Sequence, residues 1–140
     1  NAAFNYGYGI LQSQVTTAVV LAGLEEHAGF LHVDRPGRPS MVLDLMEEFR
    51  QPVVDRPLLA AWGRGWRPEL EPSAADEDPR PLLTRESRRA LADHLFHRLD
   101  RPVTYRKRRH CLKNVIQMQA RHLATFLRGE GEYRPFLSGW

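Results

Sequence analysis

The stretch Gly29-Phe-Leu-His-Val-Asp-Arg-Pro-Gly-Arg-Pro-Ser-Met-Val-Leu-Asp-Leu-Met-Glu-Glu-Phe-Arg50 changes character part-way along. Its first half carries the turn formers Pro36, Gly37 and Pro39 between Asp34 and Ser40, which predicts a loop with His32 just ahead of it. From Met41 the pattern is helical. Val42, Leu45, Met46, Phe49 and Val53 cluster on one side at about 100° per residue, and Ser40 is placed to cap the helix. Asp44, Glu47, Glu48 and Asp55 fall on the opposite side, and Pro52 permits a kink or a new start. A loop histidine is thereby paired with carboxylates on the helix that follows, which is what a divalent-metal phosphoryl-transfer site needs.

Working outward, residues Ala2 to Ala22 place Phe4, Tyr8, Leu11, Val15, Val19 and Ala22 at steps of three or four, the period of an amphipathic helix, and Gly23 is placed to end it. Arg67 to Pro81 holds four prolines and five acids, so a mobile loop at about 67–81 without core residues is expected. Thr84 is a candidate cap for a helix from Arg85 to about Leu99, with the stripe Leu91, Leu95, Phe96 and Leu99. A last helix is expected from about Arg106 to Arg128, presenting Leu112, Val115, Met118, His122 and Phe126 or Leu127, with Gly129 as its stop. Val103 to Tyr105 could be extended, but nothing in the pattern supports a sheet. The predicted fold class is all-α, a single helical domain over residues 1–140.

Composition narrows the function classes. No apolar run approaches the roughly 18 residues of a membrane span, so no membrane association is expected. The single cysteine, Cys111, excludes an intramolecular disulfide and a multi-cysteine zinc site, which makes a reducing, cytoplasmic setting the expectation. Cys111 falls in an apolar helical stripe and reads as a small core residue rather than a nucleophile. No secretory signal opens the chain, which begins at Asn1 already in a helical pattern and so reads as a piece of a longer protein. The net charge is +3, yet Arg101 to Trp140 carries nine Lys or Arg against Glu130 and Glu132. That third is either a polyanion-binding surface or a solubilising basic face.

Asp44 shares a helix surface with Glu47 or Glu48. Like charges at that spacing repel unless solvent or a cation relieves them. Carboxylates with one imidazole suit Mg²⁺ or Mn²⁺ better than structural zinc. On spacing alone, however, solvated helix carboxylates are commoner than ligands, and a histidine beside Phe30 and Leu31 is more often packed than coordinating. His27, His94, His97, His110 and His122 are assigned no chemistry, although His94 and His97 stand at i, i+3.

Whole motifs in order carry more weight. Asn-Ala-Ala-Phe-Asn-Tyr-Gly-Tyr-Gly-Ile-Leu at 1–11, Ala-Gly-Leu at 22–24, Gly-Phe-Leu-His-Val-Asp-Arg-Pro-Gly-Arg-Pro-Ser at 29–40, Asp-Leu-Met-Glu-Glu-Phe-Arg at 44–50 and Val-Val-Asp-Arg at 53–56 resemble the CRISPR adaptation integrase, the metal-dependent endonuclease that inserts new spacers for antiviral defence. Thr104-Tyr105, Gln119-Ala-Arg-His-Leu-Ala and Gly131-Glu-Tyr-Arg-Pro-Phe extend the likeness over the C-terminal half. The resemblance covers the family's larger, C-terminal helical catalytic domain, and the family's N-terminal β-rich dimerisation domain is absent.

The resemblance implies that His32 and Glu47 are metal ligands for Mg²⁺ or Mn²⁺, with Asp44 a supporting or alternative catalytic carboxylate. A third ligand, a Glu, is implied ahead of Asn1, so that the fragment alone is inactive. It implies attack by a protospacer 3′-hydroxyl on a repeat-boundary phosphodiester. Implied partners are DNA, both protospacer and CRISPR repeat, a second copy of the parent protein, and a small ferredoxin-like adaptation subunit. Arg35, Arg38 and Arg50 flank the carboxylates and, with Arg106, Lys107, Arg108 and Arg109, are candidate DNA contacts, since guanidinium suits phosphate. The competing reading is a non-catalytic all-α DNA-binding or assembly module, in which the carboxylates are only solvated.

Overall fold

In the computed structural model, which describes residues 1–27, 39–74 and 80–138, the longest element is helix α1, Ala2–Leu21. Its buried positions Ala3, Gly7, Leu11, Val15 and Val19 recur every fourth residue and make one stripe. The Asn1 side chain accepts a hydrogen bond from the Ala3 N–H at the start of the helix. At the far end Gly23 takes φ +77°, the left-handed conformation that closes a helix and that glycine adopts without a steric penalty.

Around α1 pack α2 (Ser40–Met46), a π-helical segment (Arg50–Asp55), α3 (Arg56–Gly63), α4 (Arg85–Asp100) and α5 (Leu112–Leu127). Leu11, Leu45, Phe49, Leu58, Leu91, Leu95, Leu112 and Leu123 are fully buried in the shared core. Each such side chain contributes about 1.5–3 kcal/mol relative to exposure. Thr84 caps α4 as expected, its hydroxyl accepting from the Ser87 N–H. Ser40 does not cap α2: it is the first helical residue, fully buried, and its hydroxyl has no partner among the described residues.

The fold is mixed, and the all-α expectation is corrected by two small antiparallel sheets. β1 (Leu70–Glu71) pairs with β2 (Leu82–Leu83), and β3 (Pro102–Tyr105) pairs with β4 (Arg108–Cys111). The helix expected from Arg106 therefore begins only at Leu112. In β3–β4, Tyr105 lies opposite Arg108 and Thr104 opposite Arg109, leaving Arg106 and Lys107 as a two-residue turn with φ +50° and +68°. Two consecutive positive φ values match the right-handed twist of a hairpin, usually through Asn-Gly. An Arg-Lys pair there gives no turn signal, so the basic run read as helix. The hairpin is tied down because Tyr105 is buried and its hydroxyl donates to Gln119 Oε1 at 2.6 Å. Cys111 is half-buried at the end of β4, not in a helical stripe. Leu70 is half exposed on β1, and residues 75–79 of the acidic segment lie outside the described residues.

Candidate functional site

The three carboxylates after Ser40 end up in three different environments. Asp44, in the middle of α2, is 1% exposed. Glu47, the residue after α2, points to solvent with its side chain 49% exposed and receives Arg50 Nη1 at 2.9 Å. Glu48 turns inward. The common face expected for them is lost because the chain makes a turn after Met46 and then widens into the π segment, so one 100° wheel does not continue across residues 47–55. Pro52, which has no N–H to give, sits inside that wider turn.

Glu48 is a structural anchor. Its Oε1 accepts from Gln119 Nε2 at 2.7 Å and from the Phe136 N–H at 2.7 Å, while Oε2 accepts from the Tyr133 hydroxyl. Gln119 Nε2 also donates to the Arg134 carbonyl at 3.1 Å. The segment Tyr133–Ser138 is thereby strapped across the end of α2, and Phe136 stacks on Phe49 at 5.3 Å. Burial and the neighbouring carboxylate push the Tyr133 phenol well above its ordinary range, which keeps it a donor.

On the other side of the cleft, Tyr8 of α1 donates to Asp55 at 2.5 Å, and the Arg50 guanidinium lies 4.5 Å over the Tyr8 ring. Burial first and Asp55 second raise the Tyr8 pKa; hydrogen bonds to Glu47 and Tyr8 raise that of Arg50. Glu47, Arg50, Tyr8 and Asp55 thus form a chain of contacts along one wall. Glu47, Glu48, Arg50, Asp55, Arg56, Tyr133 and Phe136 line a cleft of about 810 Å³. A second groove, of about 610 Å³, lies between the hairpin's Arg106 and Lys107 and the same Pro135–Leu137 segment.

His32, Arg35 and Arg38 lie outside the described residues. Among the described residues no three His, Cys, Asp or Glu side chains converge. Glu47 is exposed and its hard carboxylate oxygens suit Mg²⁺ or Mn²⁺ in type, whereas Asp44 is 1% exposed in a different environment. Arg106, Lys107, Arg108 and Arg109 are all exposed at the hairpin tip, with Arg106 5.4 Å over the Tyr105 ring.

Residues 1–96 match the family profile described as CRISPR associated protein Cas1. The chain belongs to the Cas1 family. Over its whole length it is 44% identical to a CRISPR-associated endonuclease Cas1 of Archaeoglobus fulgidus, of which it covers 40%. A casposase bound to an integration product superposes with TM-score 0.85 at 26% identity, over 99% of this chain and 41% of that one. A chain of a Cas6-RT-Cas1–Cas2 complex gives TM-score 0.76 at 20% identity, over 93% of this chain and 14% of that one. The Cas1 chain spans about two-fifths of the length of the curated relatives it matches.

Sequence reasoning about this Cas1 chain missed the partners of its carboxylates. Tyr8 was legible as part of an apolar stripe, but its bond to Asp55 joins residues 47 apart. Tyr133, Gln119 and Phe136 reach Glu48 from 71 to 88 residues away. Nothing local in Glu47-Glu48 says which of the two is exposed.

Proposed function

We propose that this domain is the catalytic part of a metal-dependent DNA endonuclease and integrase of CRISPR adaptation. The observation that carries the reading is the exposed Glu47 carboxylate in a cleft with Arg50, in a chain 44% identical throughout to a Cas1 endonuclease. His32 and Glu47 would hold Mg²⁺ or Mn²⁺ with Asp44 in support, and the remaining ligand is the glutamate that the family likeness puts ahead of Asn1. When bound, the cation polarises a phosphoryl oxygen and lowers the pKa of the attacking hydroxyl.

The chain's own residues do the rest. Were Glu47 to hold a cation, Arg50, now paired with it, would be free to offer its guanidinium to a phosphate oxygen from its place over the Tyr8 ring. The protospacer 3′-oxygen bonds to phosphorus as the bond from phosphorus to the departing 3′-oxygen breaks, the attacking hydroxyl losing its proton to solvent and the departing oxygen taking one from it. Arg106, Lys107, Arg108 and Arg109 hold duplex backbone, and Arg35 and Arg38 are further proposed DNA contacts. DNA, a second copy and a small ferredoxin-like adaptation subunit are the proposed partners; the casposase bound to an integration product and the Cas2-containing complex among the structural neighbours support the first and the last, and the second copy rests on the family likeness. The proposed setting is cytoplasmic; among the described residues no helix is long and apolar enough to cross a membrane.

The test is Mn²⁺-dependent joining of a labelled short duplex to supercoiled plasmid by the full-length parent protein, as wild type, His32→Ala and Glu47→Ala. Loss of product in both variants, with unchanged melting, is expected. Equal activity in all three would leave a non-catalytic DNA-binding module.

A further inference from the structure

We infer that Asp55 is a positioning residue for strand joining: by holding the Tyr8 phenol it fixes the ring that carries the Arg50 guanidinium beside Glu47. The contacts run in one line across three elements. Asp55 ends the π segment and accepts at 2.5 Å from the hydroxyl of Tyr8 on α1, 47 residues away. The Arg50 guanidinium lies 4.5 Å from the centroid of the same ring, and Arg50 Nη1 reaches Glu47 Oε1 at 2.9 Å. Arg50 is long, rich in rotamers and 39% exposed, so its direction is set by what it rests on. The ring beneath it is held at both ends. The backbone of α1 fixes its Cβ and Asp55 its hydroxyl, while Phe4, one turn earlier, packs beside it at 6.2 Å and stacks in turn on Trp62 at 5.9 Å.

A simple staple between α1 and the π segment does not account for the Tyr8–Asp55 bond. The two elements are already joined by packing: Val54 is fully buried, with a methyl so near Gly7 that a Cβ there would stand 2.8 Å from it. A phenylalanine at position 8 would serve such a contact without drawing a carboxylate out of water, which is unfavourable unless the charge has a partner. Asp55 makes no ion pair among the described residues; what it holds is the phenol. A phenol donating to an anion also gains electron density in its ring and so grips a cation more firmly. The consequence appears when Glu47 is engaged elsewhere. Its ion pair with Arg50 is then gone, and the ring is what keeps Arg50 at the wall of the cleft. That Arg50 acts there on a phosphate rests on the proposed function; the coupling of Asp55 to Arg50 through Tyr8 does not.

The test compares wild type, Asp55→Ala, Asp55→Asn, Tyr8→Phe and the double variant Asp55→Ala with Tyr8→Phe, all in the full-length parent protein. Two quantities are read: the single-turnover rate of Mn²⁺-dependent joining of a labelled duplex to plasmid, with duplex affinity measured separately in EDTA, and the rate at which phenylglyoxal modifies Arg50 in EDTA, followed by mass spectrometry with the exposed Arg121 as internal control. Asp55→Ala and Tyr8→Phe are each expected to slow joining by about 10- to 100-fold with duplex affinity unchanged, as a misplaced reacting group does. Each should also speed Arg50 modification by about 2- to 5-fold, the factor that corresponds to an exposed cation–π contact. The double variant should be no worse than either single one, and Asp55→Asn, whose amide oxygen still accepts from the phenol, should stay within about 3-fold of wild type. An unchanged joining rate in Asp55→Ala overturns the inference, and so does a loss matched by an equal loss of duplex affinity, which would make Asp55 a structural staple. Asp55→Asn as slow as Asp55→Ala overturns it too, because the charge and not the bond to Tyr8 would then be what acts. If Asp55→Ala does not fold, Tyr8→Phe against Asp55→Asn carries the same decision. Because the modification is read without metal or turnover, an inactive wild type with faster Arg50 modification in Asp55→Ala overturns the catalytic reading alone. An active wild type with both quantities unchanged in Asp55→Ala overturns the inference alone.

Discussion

Glu47 and Glu48 are adjacent in sequence and opposite in consequence. Glu48 accepts three hydrogen bonds from Gln119, Tyr133 and Phe136, so Glu48→Ala takes the acceptor from the Tyr133 hydroxyl and the Phe136 N–H in a largely buried site, while Gln119 keeps its bond to the Arg134 carbonyl. Hydrogen bonds to a charged group contribute about 1.5–3 kcal/mol, and urea unfolding of Glu48→Ala is expected to show a loss of about 2–4 kcal/mol. Glu47→Ala removes an exposed ion pair at i, i+3, which contributes at most about 1 kcal/mol, so its midpoint is expected to stay close to wild type. Comparable losses in the two variants would contradict the division of labour between them. The sequence shows that two glutamates follow α2; which one is structural is decided by residues more than 70 positions away.

At the scale of elements, α1 contains two glycines with opposite expectations. A Cβ on Gly7 would stand 2.8 Å from Val54 Cγ1, and a β-branched buried valine has little freedom to move aside. Gly7→Ala is expected to destabilise by about 1–2 kcal/mol in a denaturant titration, overpacking outweighing the gain in helix propensity. A Cβ on Gly9 meets nothing within 4 Å, so Gly9→Ala should stabilise by about 0.5–1 kcal/mol. The hairpin makes a third case. Replacing Arg106-Lys107 by Asn-Gly relieves two positive-φ residues and should raise stability by about 1 kcal/mol or more, while weakening duplex binding through the loss of two cations. A joint rise in both would separate the turn from the DNA surface. These elements also mark how far sequence reading reaches. The stripe of α1, its stop at Gly23 and the Thr84 cap were all legible, because period and capping are local. The hairpin was not, since its pairing is held by Tyr105 burial and the Gln119 bond rather than by turn residues. Glu48 was missed because it lies in the turn between α2 and the π segment, where one helical wheel does not continue, and Asp44 because the short α2 is buried nearly all round, with Ser40, Met41, Val42, Leu45 and Met46 buried beside it.

For the molecule as a whole, pH acts from both sides. Burial, followed by the Arg106 charge, lowers the His122 pKa below 6.5, so the unfolded chain binds more protons than the folded one as pH falls through that range. Stability is therefore present above about 6.5 and lost on acidification. His122→Gln is expected to flatten part of the fall in melting temperature between about pH 7.5 and 5. The phenols of Tyr8, Tyr105 and Tyr133 are all raised above 10.0, chiefly by burial, so here the folded state holds protons the unfolded state has lost. Stability should fall as pH rises beyond about 10, and Tyr133→Phe should reduce that dependence in an alkaline melting series.

The strap over Glu48 also imposes an order in time. Phe136 closes a loop of 88 residues onto Glu48, and Tyr133 one of 85. At about 5–20 residues per second, a ribosome needs roughly 4–18 s after making Glu48 before its partners exist. During synthesis the end of α2 therefore waits with an unsatisfied carboxylate, and the wall between the acidic cleft and the basic hairpin is among the last parts of the domain to be assembled.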